Sequence, residues 1–322
     1  MNRVLVTTRV PASVLARLRE ACEVDYVDSS DPMPRADFLA RLRGAHGVLC
    51  VLQNRLDAEA FDAGLPTLRV AANIAVGYDN VDVAAAASRG IVVTNTPDVL
   101  TDAVADFTIG LILALTRRIV EGDRLIRAGG WTGWALDFML GTELRGRTLG
   151  IVGFGRIGRA TAERARAFGM RVAATCRPPG EAGPPFAPEV ACLPLDEVLA
   201  RADVVSLHVP LTPATRHLIG ARELARMKRT AVLVNTARGP VVDEAALVDA
   251  LLERRIAGAA LDVFEREPAV PPELLGLNHV VLAPHLGSSS VETRTAMADL
   301  AARNVIAVLR GEAPLTPIGN GR

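Results

Sequence analysis

This chain of 322 residues has few aromatic side chains, no surplus of either charge and no cysteine pair with metal-site spacing. Phe, Trp and Tyr make up 4% of the residues, and Lys plus Arg equals Asp plus Glu, at 36 each. A balanced charge gives no electrostatic reason to expect a nucleic acid or an anionic membrane as partner. Half of the residues are hydrophobic, which predicts a large packed core and argues against a disordered chain.

The four cysteines lie far apart, and none belongs to a CxxC pair; they are Cys22, Cys50, Cys176 and Cys192. We therefore expect reduced thiols and no metal site, in a soluble cytoplasmic protein. The residues after Met1 contain no hydrophobic signal-sequence core. The most apolar helical stretch, residues 107–115, is too short to span a bilayer and predicts a core helix.

Short apolar runs alternate with helical patterns along the whole chain, which is typical of α/β folds with parallel sheets. Five runs in the first hundred residues predict a small doubly wound, flavodoxin-like unit; they are 4–7, 24–27, 47–51, 68–72 and 91–93. A second series of six runs begins at Leu149 and predicts a complete Rossmann nucleotide-binding sheet.

The helical pattern at residues 290–309 follows the last apolar run of the second series, and no further predicted strand of that series follows it. We therefore expect it to pack on the first unit, so that residues 1–98 and 288–322 form a substrate-binding domain. Residues 99–287 would then form the dinucleotide-binding domain. Two crossings between the domains predict a hinge, with the ligand cleft between them.

A glycine fingerprint, GFGRIG at residues 153–158, lies between an apolar run and a helical pattern. In that setting Gly153 permits a tight turn, Gly155 lets the backbone approach a pyrophosphate, and Gly158 allows close packing of helix on strand. The N-terminus of the helix supplies N–H groups to the phosphates. The predicted cofactor site therefore includes Gly153, Gly155, Arg156, Ile157 and Gly158.

The next apolar run ends at Cys176, which is followed by Arg177. NAD enzymes normally place Asp or Glu at this position to bind the ribose 2′-hydroxyl, and here no acid occurs before Glu181. A carboxylate would repel a 2′-phosphate, whereas an arginine pairs with it. The sequence therefore predicts NADP(H) as the preferred cofactor, with Cys176 and Arg177 in its site. The alternative is a solvated Arg177 and an enzyme that also accepts NAD(H).

Three polar residues follow the ends of predicted strands downstream of the fingerprint: Arg238, Glu267 and His285. Carboxyl ends of parallel strands border the ligand crevice, so we expect these side chains to converge there. Arg238 suits recognition of a carboxylate, and His285 suits proton donation to a carbonyl oxygen that receives a hydride. A glutamate beside the imidazole favours its protonated form, but spacing leaves both Glu265 and Glu267 open as that partner. The set predicts a hydride-transfer enzyme for a small 2-oxo or 2-hydroxy acid.

With these residues in place, the chain resembles the D-2-hydroxyacid dehydrogenases over essentially its whole length. The motifs that carry the resemblance are AVGYDNVD (75–82), NTPDVLTDAVADFTIGLIL (95–113), LRGRTLGIVGFGRIG (144–158), DVVSLHVPLTPATRHLIG (203–220), LVNTARGPVVDEAAL (233–247), GAALDVFEREP (258–268) and APHLGSSS (283–290). The resemblance implies that Arg238, Glu267 and His285 are the catalytic set. It also implies that the N–H groups of Val76 and Gly77 bind the substrate carboxylate, together with Arg238.

The same resemblance implies that Asp262 lies near the nicotinamide, that Thr101 begins a cofactor-facing helix, and that the protein is a homodimer built on its nucleotide-binding domains. Within the family, the GGWTGW stretch at 129–134 and the cofactor motifs are similar to those of glyoxylate/hydroxypyruvate reductases. That similarity implies that Trp134, or else Trp131, reaches the partner subunit's active site. The alternative is that both tryptophans pack in the dimer arm.

Three other functions remain open at this point: a dehydrogenase for a bulkier 2-oxo acid, a phosphite dehydrogenase, and a corepressor-like protein that binds NAD(H) and peptides. The phosphite branch has a lysine where this chain has Val76, and the loss of that cation disfavours an inorganic dianion. The lack of an acid at position 176 and of long low-complexity tails disfavours a corepressor.

Overall fold

The computed structural model describes residues 1–176 and 190–319, which form two compact units. The first unit comprises Met1–Leu100 together with the chain from Ser289 onward, and the second comprises Thr101–Ser288. Each unit is built on one sheet in which every strand pair is parallel. Two parallel α/β sheets confirm the predicted fold class.

The first unit contains five strands and five helices. Its strands are β1 (Arg3–Val6), β2 (Glu23–Tyr26), β3 (Gly47–Cys50), β4 (Val70–Asn73) and β5 (Val92–Thr94). Its helices are α1 (Ala12–Ala21), α2 (Arg35–Leu42), α3 (Ala58–Gly64), α4 (Val83–Ala87) and, at the end of the chain, α12 (Val291–Leu309). The strand order β2-β1-β3-β4-β5 is the flavodoxin-like order that the sequence predicts.

Helix α12 belongs to the first unit because its apolar face packs on the first sheet. Ala301 and Val305 share one buried cluster with Val4. The helix begins after Ser290, whose side chain accepts the N–H of Thr293 as an N-cap. Helices that cover both faces of the sheet explain why its central strands are short, continuous apolar runs.

The described part of the second unit, residues 101–176 and 190–288, contains seven strands and seven α-helices. Its strands are β6 (Thr148–Val152), β7 (Arg171–Thr175), β8 (Ala191–Cys192), β9 (Val204–Leu207), β10 (Val232–Asn235), β11 (Gly258–Leu261) and β12 (Val280–Leu282). Its helices are α5 (Thr101–Thr116), α6 (Ile119–Arg127), α7 (Arg156–Ala167), α8 (Leu195–Arg201), α9 (Ala221–Arg226), α10 (Glu244–Leu252) and α11 (Pro272–Leu275). The strand order is β8-β7-β6-β9-β10-β11-β12, a Rossmann order with one strand added.

The sequence predicts six strands for this sheet, and the missed one is β8. It consists of Ala191 and Cys192, and two residues are too few to give a hydrophobic pattern. Ala174 of β7 lies in register with Cys192, and the N–H of Leu193 donates to the carbonyl of Ala174 at 2.9 Å. The strand that the pattern missed is therefore the third strand of the Rossmann order, beside the end of β7.

The same strand corrects the expectation of four reduced thiols. Cys176 and Cys192 form a disulfide with their Cα atoms 5.4 Å apart, although they are 16 residues apart in the sequence. Pairing of β7 with β8 creates this proximity, so the spacing of the cysteines did not reveal it. Cys22 and Cys50 are free and buried, and burial raises the pKa of Cys50 to about 12. That thiol is protonated and unreactive.

Helix α5 contains the most apolar stretch of the sequence, and its buried side chains confirm the prediction of a core helix. Ile109 and Ile112 pack in one cluster with Leu149 and Ile151 of β6. The helix begins at Thr101, which is half-buried. Among the described residues, no helix is both long enough and apolar enough to cross a membrane.

Candidate active site

Five neighbouring strands of the second sheet bring polar or glycine residues to its carboxyl edge. The strands lie in the order β6-β9-β10-β11-β12, and all of them are parallel. The residues that follow their ends are, in that order, Gly153, His208, Arg238, Glu267 and His285. The three residues predicted to be catalytic therefore follow three adjacent strands, at the edge where open α/β sheets bind ligands.

Glu267 is the carboxylate that pairs with His285. Nδ1 of His285 donates to Oε2 of Glu267 at 2.9 Å, and Oε1 of Glu267 accepts the N–H of Phe264 at 3.1 Å. Burial alone would raise the pKa of Glu267, but the hydrogen bond and charge of His285, followed by the Phe264 N–H and the charge of Arg238, lower it overall. Glu267 is thus an oriented anion, and Nε2 on the far side of the imidazole remains for proton transfer.

Asp262 holds the backbone of His285 in place. It is 1% exposed, and its carboxylate accepts the N–H of Leu286 at 2.6 Å and that of Gly287 at 2.8 Å. Its carbonyl oxygen accepts the N–H of His285 at 2.9 Å. His285 has a φ of 56°, which is uncommon for a residue with a side chain, and these bonds stabilise it there. Burial raises the pKa of Asp262, and the two N–H groups and the charge of His285 oppose that rise.

Arg238 lies in a turn that two of its sequence neighbours shape. Asn235 is buried; its Nδ2 donates to the carbonyl of Arg238 at 2.9 Å, and its Oδ1 accepts the N–H of Ala237 at 3.0 Å. A Cβ at Gly239 would overlap the carbonyl group of Phe264, so glycine lets this turn approach the segment after β11. Sequence reasoning missed both roles, although a buried asparagine at a strand end is a recognisable signal.

Glu265, the rejected partner of His285, binds a different histidine. Its Oε1 lies 2.9 Å from Nε2 of His217 and 3.1 Å from Nη2 of Arg216. Its N–H donates to Oε2 of Glu244 at 3.0 Å. These contacts anchor the segment between β11 and Glu267. The remaining histidines also have local partners: His46 with Arg3, His208 with Ser206, and His279 with Leu251.

The glycine fingerprint forms the turn between β6 and α7, and its geometry fits a dinucleotide. Gly153 has a φ of 99°, and a Cβ there would lie 2.8 Å from the main chain of His208. A Cβ at Gly158 would overlap the carbonyl of Gly153, whereas a Cβ at Gly155 would meet open space. Helix α7 begins at Arg156 and has no side-chain N-cap. Open space beside an uncapped helix N-terminus suits a pyrophosphate.

The end of β7 is joined to this turn and to β8. Oγ1 of Thr175 accepts the N–H of Gly153 at 2.9 Å, and the next residue, Cys176, is bonded to Cys192. A disulfide sulfur thus stands where NAD enzymes normally have a carboxylate. Arg177, which the sequence predicts to bind a 2′-phosphate, lies outside the described residues.

In the first unit, Val76 and Gly77 lie in the loop that follows β4. Nδ2 of Asn95 donates to the carbonyl of Val76 at 2.8 Å, and Nδ2 of Asn73 donates to the carbonyl of Gly77 at 3.0 Å. Within residues 1–176 and 190–319, the N–H groups of Val76 and Gly77 have no hydrogen-bond acceptor. Two amide groups fixed in this way can bind a carboxylate. The sequence analysis did not find the two asparagines.

The predicted dimer arm is an exposed apolar segment between α6 and β6. Trp134 is 80% exposed and Trp131 is 54% exposed. Leu136, Phe138 and Leu140 are exposed in the same segment. Large exposed apolar segments are uncommon on monomers and typical of protein interfaces.

No group of three or more His, Cys, Asp or Glu side chains in the described part of the chain is arranged to hold a metal ion.

Comparison with known proteins shows the family to which the chain belongs. Residues 109–287 match the family model described as "D-isomer specific 2-hydroxyacid dehydrogenase, NAD binding domain". A glyoxylate reductase of Thermofilum pendens is 50% identical over 315 residues, which cover 97% of this chain and 93% of that protein.

Two solved structures are similar over nearly the whole chain. A protein of Thermus thermophilus is 47% identical with a TM-score of 0.92, over 98% of this chain and all of that one (100%). An NADPH-dependent glyoxylate/hydroxypyruvate reductase of Sinorhizobium meliloti, in complex with NADP and malonate, is 40% identical with a TM-score of 0.86. That match covers 99% of this chain and 97% of the other. The chain therefore belongs to the D-isomer specific 2-hydroxyacid dehydrogenase family, is similar to its glyoxylate reductases, and is an NAD(P)-dependent oxidoreductase.

Proposed function

We propose that this chain reduces glyoxylate or hydroxypyruvate to the D-2-hydroxy acid, with NADP(H) as its preferred cofactor. The observation that carries the proposal is the Glu267–His285 pair, which follows β11 and β12, beside β10 and its Arg238, in the sheet that holds the glycine fingerprint. The glyoxylate reductases among the relatives support the substrate, and the Sinorhizobium meliloti enzyme with bound NADP supports the cofactor.

In this proposal each side chain has one task. The bound nicotinamide supplies a hydride to the carbonyl carbon of the substrate. Arg238 binds the carboxylate and polarises the carbonyl group. His285, oriented by Glu267, donates a proton from Nε2 to the carbonyl oxygen. In the opposite direction His285 accepts that proton, so a rise in pH favours oxidation over reduction.

Residues 1–98 with 288–322 form the substrate-binding domain in this proposal, and residues 99–287 form the nucleotide-binding domain. The N–H groups of Val76 and Gly77 bind the substrate carboxylate. The hydrogen bonds that hold the carbonyl groups of the same two residues support this role. Thr101 and Asp262 border the nicotinamide.

The cofactor preference follows from the end of β7. No acid stands at or directly after Cys176 to repel a 2′-phosphate, and Arg177 is the next residue. The fingerprint residues, among them Arg156 and Ile157, border the pyrophosphate.

We also propose a homodimer through the nucleotide-binding domains, in which Trp134 reaches the partner subunit's active site. The exposed apolar segment around Trp134 supports this role.

Initial rates with glyoxylate, hydroxypyruvate, pyruvate and phenylpyruvate, each with NADPH and with NADH, test the proposal. We expect the two small polar acids and NADPH to give the highest kcat/KM, and His285→Ala to lower turnover by about 10²- to 10⁴-fold without preventing cofactor binding. Faster turnover of phenylpyruvate would indicate a dehydrogenase for bulkier acids. Tight cofactor binding without turnover of any 2-oxo acid would contradict the proposal and favour phosphite oxidation or a corepressor-like role.

A further inference from the structure

Helix α5 packs against the strands that lead to the three proposed catalytic residues. Ile112 of the helix belongs to one buried apolar cluster with a residue from each of β10, β11 and β12, namely Val234, Ala260 and Val281. Arg238, Glu267 and His285 follow the ends of these three strands. A polar side chain of α5 beside this cluster is therefore placed to contact the turns that hold the proposed site.

Thr108 is a polar residue on the buried face of α5. It is 0% exposed, and its hydroxyl donates to the carbonyl of Val104 at 2.7 Å, one turn earlier in the helix. The same oxygen lies 3.0 Å from Oγ1 of Thr236, which is outside the helix. Because a hydroxyl has a single proton, and that of Thr108 is directed to Val104, Thr236 is the donor in this second bond.

Thr236 belongs to the turn that carries Arg238. It is the first residue after β10 and lies two residues before the arginine. Nη1 of Arg238 donates to the carbonyl of Ala237 at 2.8 Å, so the main chain of this turn directs the guanidinium group. The side chain of Asn235 stabilises the turn from within, through the N–H of Ala237 and the carbonyl of Arg238. The bond to Thr108 fixes the same turn to a second element, helix α5.

We propose that Thr108 is a positioning residue for Arg238, acting through the hydroxyl of Thr236. A valine at position 108 would fill nearly the same space but would leave Thr236 without this acceptor, and the turn with its guanidinium group would shift. A guanidinium group binds a carboxylate through two parallel hydrogen bonds only in a narrow geometry, so the shift weakens binding of the substrate. The inference rests on the proposed function, because it requires Arg238 to bind the substrate carboxylate.

A second threonine of the same helix separates this role from an ordinary helix contact. The hydroxyl of Thr116 donates to the carbonyl of Ile112 at 2.7 Å, which is the bond that Thr108 makes to Val104. Within residues 1–176 and 190–319, the hydroxyl of Thr116 has no second hydrogen bond. Thr108→Val and Thr116→Val therefore both remove a bond within α5, and Thr108→Val alone also removes the bond to the turn of Arg238.

The test is steady-state reduction of glyoxylate by the full-length protein at saturating NADPH, with the dissociation constant for NADPH measured by nicotinamide fluorescence. Thr108→Val removes the acceptor, Thr108→Ser keeps the hydroxyl, and Thr116→Val is the matched control. Thr236→Val removes the same bond from its half-buried end, so the test does not depend on the folding of Thr108→Val. Thr108→Val combined with Arg238→Lys shows whether the effect passes through the guanidinium group. Thermal unfolding of every variant shows whether it stays folded.

We expect Thr108→Val and Thr236→Val to lower kcat/KM about 3- to 10-fold, mostly through a higher KM, because the carboxylate is bound before the transition state as well as in it. The dissociation constant for NADPH should change less than about 2-fold. Thr108→Ser and Thr116→Val should both stay within about 2-fold of the wild type in kcat/KM. When Arg238 is already lysine, Thr108→Val should cost less than about 2-fold, because the group that it positions is absent.

Wild-type kinetics in Thr108→Val and Thr236→Val would overturn the positioning role and leave the proposed function intact. An equal loss in Thr116→Val, or a full further loss when Thr108→Val is added to Arg238→Lys, would do the same. A wild-type protein that binds NADPH but reduces no 2-oxo acid would overturn the proposed function and this inference with it.

Discussion

Two glutamate–histidine pairs lie side by side in the second unit, and their surroundings differ more than the pairs themselves. In each, a glutamate oxygen lies 2.9 Å from an imidazole nitrogen, and the two glutamates are two residues apart. The carboxylate of Glu265 is shared between His217 and Arg216. Glu267 has a backbone N–H on one oxygen and His285 on the other.

The comparison indicates that a glutamate–histidine pair alone does not define the proposed proton donor. Arg216 offsets the charge of Glu265, which suits an anchor for the segment after β11. Burial would raise the pKa of Glu267, and the contact with His285 opposes that rise more than the charge of Arg238 does. A main-chain carbonyl accepts the N–H of each histidine, but only the turn after His285 is also held by a buried carboxylate, that of Asp262, among the contacts described above. Orientation by neighbouring groups is therefore what separates the two pairs.

The largest expected effect comes from removing each histidine in turn. His285→Ala should lower kcat for glyoxylate reduction by about 10²- to 10⁴-fold, the contribution typical of a positioned general acid. His217→Ala removes an anchor and should lower kcat by less than about 10-fold. Steady-state kinetics at saturating NADPH, with the cofactor dissociation constant measured for each variant, checks this contrast. Equal losses of kcat in His285→Ala and His217→Ala would contradict the proposed difference between the two glutamate–histidine pairs.

Removing one of the two acceptor oxygens of the Asp262 carboxylate, which hold the turn after His285, should have the next largest effect. In Asp262→Asn an amide N–H₂ would face one of the two N–H groups that the carboxylate now accepts, and the turn at His285 would shift. We expect unfolding free energy to fall by about 1–3 kcal/mol and kcat to fall by about 10- to 100-fold. Urea unfolding and steady-state kinetics measure the two effects.

Asp243→Asn is the matched control for that variant. Asp243 caps helix α10 by accepting the N–H of Ala246, and asparagine caps a helix equally well. We expect its unfolding free energy to stay within about 0.5 kcal/mol of the wild type. A similar loss in both variants would show that the change of charge, and not the lost acceptor beneath His285, is responsible.

The smallest expected effect concerns the anchoring pair and depends on pH. Burial would raise the pKa of Glu265, but the hydrogen bond and charge of His217, with the Glu244 contact and Arg216, lower it overall. A lowered pKa in the folded state stabilises the protein above the unfolded-state value of about 4.3, and that stabilisation is lost as pH falls through the folded-state value. Glu265→Gln should therefore cost up to about 1 kcal/mol at pH 7 and progressively less in acid. Urea unfolding at several pH values checks the trend, and a difference that grows in acid would contradict it.

The apolar strands and the core helix were predictable because each depends on local sequence. The strands of the first sheet and the core helix at residues 107–115 agree with their patterns. Strand β8 was not predictable, since two residues have no periodicity, and the disulfide was missed for the same reason. The short edge strand β8 therefore explains both the missed strand and the missed disulfide.

Side-chain partners within the site depend on loop conformation, which spacing does not determine. Glu265 and Glu267 are equivalent in sequence terms, and the backbone of their segment decides which one faces His285. The asparagines that hold the two binding loops were missed because an amide at a strand end has many possible roles. Asn73 and Asn235 acquire theirs only from the turns they meet in the fold.

The central claim is that Glu267, and not Glu265, positions His285 to donate a proton. The kcat/KM for glyoxylate reduction in Glu267→Gln and Glu265→Gln tests it most directly. We predict that Glu265→Gln stays within about 3-fold of the wild type, whereas Glu267→Gln loses about 10- to 100-fold, because the neutral amide no longer gives Nδ1 of His285 a charged acceptor. Equal losses in the two variants, or a loss in Glu265→Gln alone, would contradict the claim.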